Sequence, residues 1–250
     1  MKNLLQGLLI AFSMYSRIPV PQVEWTGENR RYVLCFFPMI GAVVGAVLVL
    51  WDLFCAWRGV SGVLRGAGLA VLPVLITGGI HLDGLLDTAD ALAAWCTPEK
   101  RLEILKDSRA GAFAVITACV YFTLALGAFA QMDHKALVLY AGVPVLSRSL
   151  SGLGVVCLKK ARPDGTAKAL SGEDRKKRVS TVLILWAAAA AVWLLAADLF
   201  RGAAVLAIAA ACALYGKRTA YQKFGGVTGD LAGFFLQIFE LCAALGVVLL

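Results

Sequence analysis

The sequence predicts an all-α fold, a polytopic integral membrane bundle of about six to seven transmembrane helices with a short interfacial helix at the N-terminus. Of the 250 residues, 60% are hydrophobic and only 16% are charged, whereas a soluble domain is nearer to half apolar and a quarter charged. Long apolar runs recur along the chain, and most reach the roughly 20 residues that a helix needs to cross a bilayer. The sequence lacks the alternating strands of about ten residues that would indicate a membrane barrel.

The predicted elements follow the apolar runs in chain order. Residues 1–21 predict a membrane-skimming helix that Pro19 and Pro21 end, because proline interrupts helical hydrogen bonding. A segment in lipid must satisfy its own backbone hydrogen bonds, so the later runs are predicted to be helices. They lie near residues 33–57, 66–94, 110–130, 136–158, 180–199, 203–215 and 231–250, of which 203–215 is marginally short. Gly41 and Gly45 favour close helix packing, and we expect a single membrane-embedded domain over residues 1–250.

The net charge of +8 indicates how the helices are oriented. Basic residues concentrate in three loops, 95–109, 159–178 and 216–230, which the positive-inside rule places in the cytoplasm. The loop at 58–65, with Arg58 and Arg65, then lies outside and weakens the pattern slightly. We therefore expect a multi-pass protein of the cytoplasmic (inner) membrane, with the lipid bilayer as a partner. Short basic loops between spans do not indicate a nucleic-acid partner, and association into a homo-oligomer stays open.

A polar motif, TGGIHLDGLLDTAD, ends the second apolar run at residues 77–90. Asp83, Asp87 and Asp90 follow one another at intervals of four and three residues, so a helix places them on one face. Neighbouring carboxylates at a membrane edge repel one another and are poorly solvated, which favours a compensating cation. Oxygen ligands suit Mg²⁺ or Mn²⁺, and Mg²⁺ commonly shares its coordination sites with phosphate. The alternative is a set of solvated charges at a helix end, with Asp83 or Thr88 as a cap.

The start of the same motif carries two glycines and a histidine. Gly78 and Gly79 are expected to loosen or break the helix before the acids. His81 lies two positions before Asp83 and points away from the acid face unless the helix begins there. It is a candidate catalytic or substrate-binding residue, and a structural histidine is equally compatible with the pattern.

A second segment, residues 103–111, precedes the span near 110–130 and carries Lys106, Asp107 and Arg109. The two cations suit phosphate oxygens, and the aspartate is a further candidate metal ligand. An ordinary positive-inside flank would explain the cations but not the aspartate between them.

A third segment, residues 224–230, opens the last span. Glycines ahead of a helix let backbone N–H groups approach an anion, whereas Thr228 or Asp230 would equally serve as a helix cap. The candidate substrate-binding residues here are Gly225, Gly226 and Thr228, and Asp230 is a candidate metal ligand. Ionisable groups inside spans are functional candidates by default, which adds Glu240 and Arg148. We expect Arg148 to bind substrate or to pair with one of the acids.

Several stretches together resemble the cobalamin synthase family, whose members are adenosylcobinamide-GDP ribazoletransferases. They are GGIHLDGLLDTADAL at 78–92, RLEILKDSRAGAFAV at 101–115, GGVTGDLAG at 225–233 and the N-terminal SRIPVP at 16–21. The match runs in the family's order along nearly the whole chain, and the first stretch is the most specific. Leu86 and Ala91 stand where the family has smaller residues, but neither carries chemistry.

The resemblance implies a membrane enzyme that needs Mg²⁺. Its substrates would be adenosylcobinamide-GDP and α-ribazole, or α-ribazole 5′-phosphate, and its products adenosylcobalamin, or its phosphate, and GMP. The acceptor hydroxyl would attack the phosphoryl group attached to cobinamide, with Asp83, Asp87 or His81 accepting the proton. Lys106 and Arg109 would neutralise phosphate oxygens. The candidate metal ligands are Asp83, Asp87, Asp90, Asp107 and Asp230.

Two other functions compete with this one. A CDP-alcohol phosphotransferase also places aspartates on membrane-edge helices, but its pattern has an Ala-Arg pair after the first Asp-Gly, and here Leu-Leu follows Asp83 and Gly84. A cation or proton transporter would use acids within spans, such as Glu240 and Asp52. It would also favour an internal repeat, which the sequence lacks.

Overall fold

A computed structural model describes residues 2–107, 109–162 and 176–250. The chain folds into helices, and within the described residues the only β-type pairing is an isolated bridge between Lys160 and Val227. The helices are α1 (Lys2–Tyr15), α2 (Val33–Arg58, after a 3₁₀ turn at Arg30–Tyr32), α3 (Gly62–Thr77), α4 (Ile80–Ala93), α5 (Pro98–Ile104), α6 (Ala112–Gln131), α7 (His134–Tyr140), α8 (Val143–Cys157), α9 (Lys176–Ala197), α10 (Leu199–Phe224) and α11 (Gly229–Leu249).

The predicted class, a polytopic helical bundle, is confirmed. Six helical segments among the described residues are long and apolar enough to cross a membrane, with α7 and α8 counted together as one span. The pair α3 and α4 makes a seventh if it is counted as one bent span. The segment near 203–215 is longer than predicted, because α10 continues through a basic and polar end to Phe224.

The predicted apolar segment over residues 66–94 is divided into two helices. Helix α3 ends at Thr77, and α4 starts at Ile80 with its axis turned by 96°. The two glycines between them, Gly78 and Gly79, have φ angles of +66° and +79°, a left-handed conformation that side-chain-bearing residues rarely adopt. The predicted break at these glycines is therefore confirmed, and it leaves α4 as a separate helix at one end of the bundle.

Helices α2, α8 and α11 form the buried centre of the bundle, whereas α6, α9 and α10 present most of their apolar side chains outward. The predicted small-residue contact lies in this centre. A Cβ atom added at Gly41 or Gly45 would lie 2.2 Å from the carbonyl oxygen of Pro144 or Ala141, respectively. Only glycine permits this approach of α2 to the backbone of α7 and α8.

Polar contacts tie the helices together at both ends of the bundle. We call one end the acid end; it contains α4, the loop at 94–111, residues 158–162 and residues 225–228, which are joined by the bridge from Lys160 to Val227 and by a contact between Asp90 and Gly111. At the opposite end, Arg65 donates to the carbonyl of Met132, and His134 contacts Asp52. Arg65 lies inside α3 and is buried, so its prediction as a loop residue is wrong.

Candidate active site

The acid face of α4 is the starting point of the site. Because α4 begins at Ile80, Asp83 falls in its first turn and Asp87 and Asp90 follow on the same side. Asp83 is exposed, and the other two are half-buried. A carboxylate in the first turn also interacts favourably with the positive end of the helix dipole, which stabilises the negative charge of Asp83.

A close approach of α11 brings a fourth predicted acid to this face. A Cβ atom added at Gly84 would lie 2.7 Å from the carbonyl oxygen of Asp230, so the two helices meet where α4 has no side chain. The charges that act on the Asp87 carboxylate are, in order of size, those of Asp83, Asp230 and Asp90. The fold thus gathers four of the predicted acids, and their roles as metal ligands or proton acceptors stay predictions.

Two members of the predicted metal set, Asp90 and Asp107, already have hydrogen-bond partners within the chain. Asp90 accepts hydrogen bonds from the backbone N–H groups of Gly111 and Ala114, at 2.6 and 2.9 Å, and so caps the start of α6. Asp107 is exposed and binds Arg109 through two side-chain hydrogen bonds of 3.0 and 2.8 Å. These side-chain bonds and a backbone N–H bond from Arg109 lower the pKa of Asp107 to about 2.

The predicted cations lie at the acid end but do not neutralise the acid face. Lys106 and Arg109 are exposed, and Arg109 is engaged by Asp107. A cation that sequence reasoning did not single out, Arg162, is close enough to act on Asp230 and also donates to the carbonyl of Leu102. Its loop is positioned by backbone pairing that no sequence signal predicted. Residues 163–175 of the predicted basic loop 159–178, including Lys168 and Arg175, lie outside the described residues.

The glycine-rich segment before α11 has a clear structural reason for each residue. Gly225 ends α10 with a φ of +73°, and a Cβ atom at Gly226 would lie 2.6 Å from the backbone of Lys160. Thr228 caps α11 by accepting from the N–H of Leu231, which confirms that prediction. Anion binding by this helix start stays a prediction.

Arg148 lies deep in the bundle, 1% exposed, and pairs with Glu240 at 2.7 Å. Ser147 donates to the same carboxylate oxygen at 2.6 Å. The predicted pairing with an acid is thus confirmed, and substrate binding by Arg148 stays a prediction. The two acids that a transporter would use, Glu240 and Asp52, are both ion-paired to arginine.

His81 lies in the first turn of α4, because the helix begins at Ile80, and its ring packs against aromatic side chains. It is 4% exposed, and its ring centroid lies 5.4 Å from that of Phe37 and 6.0 Å from that of Tyr15. Within the described part of the chain its Nε2 has no hydrogen-bond partner. Sequence reasoning missed Tyr15 and Phe37, because an aromatic residue in an apolar helix carries no signal of its own.

The acids at this end suit an oxygen-liganded divalent cation rather than zinc, which prefers nitrogen and sulfur ligands. No three His, Cys, Asp or Glu side chains in the part of the chain that the structure describes lie close enough to hold a metal ion alone. Mg²⁺ commonly takes only one or two protein carboxylates and completes its shell with water and substrate phosphates. Asp83, Asp87 and Asp230 fit a site of that kind, because Asp83 is open to the surface.

Comparison of the sequence with known proteins identifies its family. The family model described as cobalamin-5-phosphate synthase matches residues 7–248. The chain belongs to the cobalamin-5-phosphate synthase family. That match begins within α1 and ends near the end of α11.

Curated relatives within the family match along almost their full length. An adenosylcobinamide-GDP ribazoletransferase of Lachnoclostridium phytofermentans is 41% identical, covering 98% of this chain and 94% of the relative. Proteins of the same name from Desulfitobacterium hafniense and from Clostridium botulinum (strain Alaska E43 / Type E3) are 33% and 32% identical, each covering 96% of the relative. No solved structure matches the chain.

Proposed function

We propose that the chain is an adenosylcobinamide-GDP ribazoletransferase, the enzyme that assembles the nucleotide loop of cobalamin. The observation that carries the proposal is the 41% identity to a ribazoletransferase over 98% of this chain. The substrates are adenosylcobinamide-GDP and α-ribazole or its 5′-phosphate. A P–O bond forms between the acceptor hydroxyl and the phosphoryl group attached to cobinamide, the P–O bond to GMP breaks, and the hydroxyl proton passes to a base.

The acid end has the residue types that this transfer needs. Phosphoryl transfer depends mostly on positioning and on stabilising negative charge. One or two of Asp83, Asp87 and Asp230 would hold Mg²⁺, with water and the diphosphate completing its shell, and the bound ion would stabilise the charge on the departing GMP. Arg162, close to Asp230, and the exposed Lys106 would attract the phosphate oxygens. One aspartate of the acid face would accept the proton of the acceptor hydroxyl.

We further propose that the acid end faces the cytoplasm of a cell whose inner membrane holds the bundle. The support is the distribution of charge, because the basic segments 95–109 and 159–178 connect helices at this end. The third predicted basic loop is in fact the last part of α10, and its Lys217, Arg218 and Lys223 lie near the same end. Labelling of single cysteines in intact cells tests the orientation. A cysteine at position 100 should resist an impermeant reagent, and one at position 201 should react; the reverse pattern would place the acid end outside.

The activity is tested with purified full-length protein in lipid nanodiscs. Incubation with adenosylcobinamide-GDP, α-ribazole and Mg²⁺ should release GMP and form an adenosylated corrinoid in equal amounts, measured by chromatography. Replacing α-ribazole by its 5′-phosphate ranks the two acceptors. If neither acceptor yields GMP or a corrinoid product, the proposed activity is wrong.

The metal proposal is tested by turnover and by the unfolding temperature, which does not depend on turnover. Removal of divalent ions with EDTA should abolish GMP release, and Mg²⁺ should restore it. Mg²⁺ should also raise the unfolding temperature of the wild-type protein but not that of Asp87→Asn, because the variant lacks a carboxylate of the proposed site. Glu103→Gln is the matched control, since Glu103 is an exposed acid that pairs with Lys100. An equal Mg²⁺ effect on both variants would exclude Asp87 from the metal site.

A further inference from the structure

A cavity of about 160 Å³ adjoins the acid face of α4. Five helices contribute to it: α1, α2, α4, α8 and α11. Asp83 and Asp230 line it together with the aromatic rings of Tyr15, Phe37 and His81. The cavity therefore joins two carboxylates of the proposed reaction site to an interior that is mostly apolar and partly aromatic.

The aromatic part of the cavity offers flat surfaces and one unused polar group. The ring centroids of Tyr15 and Phe37 are 4.4 Å apart, and the ring of His81 lies nearly parallel to that of Tyr15, at an interplanar angle of 26°. A buried polar atom without a partner is costly, and Nε2 of His81 has none within the described residues. The imidazole also lines the cavity, so a ligand bound there can offer it a hydrogen-bond partner. Ser151 also lines the cavity, and its hydroxyl donates to the carbonyl of Ala232.

The size of the cavity limits what it can hold. An apolar cavity of about 150 Å³ accommodates benzene, so this one suits a single small, flat ring system with its polar end outside. A corrin macrocycle is far too large, and a guanine nucleotide brings several hydrogen-bonding groups that the apolar walls would leave unpaired. The base of α-ribazole is a benzimidazole, which is flat, largely apolar and carries one ring nitrogen that accepts a hydrogen bond.

We propose that this cavity binds the benzimidazole base of the acceptor nucleoside, with the imidazole of His81 donating a hydrogen bond to the free ring nitrogen. The inference rests on the proposed function and specifies where one of its two substrates binds. The base contacts Tyr15 and Phe37, and the ribose leaves the cavity beside Asp83, which is exposed. Its hydroxyl thereby reaches the carboxylates that handle the diphosphate. This assigns His81 to acceptor binding rather than to proton transfer.

Steady-state kinetics of the full-length protein in nanodiscs test the role of His81. His81→Leu should raise the KM for α-ribazole about tenfold, the effect of one lost hydrogen bond to a buried group. The KM for adenosylcobinamide-GDP should not change, and kcat should change little. His81→Gln, which keeps an N–H donor, should recover part of the loss. The matched control is His134→Leu, which changes the other histidine of the chain, at the opposite end of the bundle, and should leave both KM values unchanged.

Two further measurements protect the test against misfolding and against loss of the whole activity. Val155→Phe fills the cavity from α8 and should also raise the KM for α-ribazole alone. The free base 5,6-dimethylbenzimidazole, without donor or metal, should bind the wild-type protein in equilibrium dialysis and bind His81→Leu more weakly. It should also compete with α-ribazole, but not with the donor, in the kinetic assay.

The outcomes separate this proposal from the proposed function. If the wild-type protein forms GMP but does not bind the free base, or if His81→Leu and Val155→Phe leave the KM for α-ribazole unchanged, the cavity assignment is wrong and the activity stands. A fall in kcat with unchanged KM values would likewise overturn it and make His81 a proton-transfer residue. If no GMP forms, the proposed function fails, whereas His81-dependent binding of the base would still support the cavity.

Discussion

The two ends of the bundle both contain buried or half-buried carboxylates, but the charges that surround those carboxylates differ between the ends. At the opposite end, one oxygen of Asp52 accepts from Arg65 and the other contacts His134 at 2.6 Å. Arg65 also donates to the carbonyls of Phe129 and Met132, at 3.2 and 2.8 Å. This carboxylate is therefore paired on both sides and joins α2, α3, α6 and α7.

At the acid end, the charges of other carboxylates act on Asp87 and Asp230. Asp87 is surrounded by the charges of three aspartates, and Asp230 has Arg162 as its nearby cation. Like charges in a poorly solvated place destabilise a fold. The comparison teaches that the charges at one end hold helices together, whereas the like charges at the acid end call for the cationic ligand that we propose.

The largest expected effect comes from removing one charge at the acid end. Asp83→Asn keeps the shape of the side chain but removes a negative charge, so GMP release should fall on the order of a thousandfold, the scale of losing one preorganised electrostatic contact. The fold should tolerate the change, because repulsion among the acids decreases. Initial rates and the unfolding temperature, measured on the same nanodisc preparation, check both statements.

Asp52→Asn is the matched change at the opposite end and should give the reverse result. It leaves Arg65 buried without its anion, so the protein should unfold at a lower temperature while the folded fraction keeps its kcat. A thousandfold loss of kcat in Asp52→Asn, or full activity in Asp83→Asn, would contradict the assignment of catalysis to the acid end and of helix–helix contacts to the opposite end.

The second prediction concerns the strength of the structural cluster. Arg65→Met removes the cation and leaves Asp52 buried, which should cost about 3–5 kcal/mol in the free energy of unfolding. Arg58→Met, at the exposed end of α2, should change it little. Unfolding in a denaturing detergent series measures both. Equal stabilities of the two variants would show that the pair does not hold the helices.

The sequence predicted the acid end better than the opposite end, and the reason is physical. Asp83, Asp87 and Asp90 are local in sequence, so helical periodicity alone places them on one face. The cluster of Asp52, Arg65 and His134 joins three separate helices, and no local pattern reports such a contact. For this reason Arg65 was assigned to a loop although it lies in α3.

The same distinction explains the details within the site. The break at Gly78 and Gly79 was predictable because glycine acts on the local backbone. The capping of α6 by Asp90, the position of Arg162 near Asp230 and the rings around His81 depend on how distant segments pack. Family resemblance could indicate the chemistry of the motif. Only the tertiary contacts show which of its acids are already hydrogen-bonded or ion-paired within the chain.

The third prediction tests whether helix packing positions the acids. Gly84→Ala would place a methyl group 2.7 Å from the carbonyl of Asp230 and push α4 and α11 apart. Overpacking of this kind costs about 1–3 kcal/mol, and kcat should fall about tenfold because Asp83 and Asp87 move away from Asp230. Gly127→Ala in α6 is the control, since its new methyl group meets nothing within 4 Å and improves helix propensity. If the two variants behave alike, the close approach does not position the acids.

The smallest effect is expected for Asp107, whose carboxylate is engaged by Arg109 on the surface of the acid end. Because its pKa is lowered to about 2, its contribution to stability is present above the unfolded value near 3.9 and is lost only as the pH falls through about 2. Asp107 is thus ionised throughout pH 5–9, and the pH profile of kcat should be the same in Asp107→Asn and in the wild type. The rate itself should fall less than tenfold, since an exposed pair is screened by solvent. A loss as large as that of Asp83→Asn would instead move Asp107 into the metal site and extend the acid face to the loop before α6.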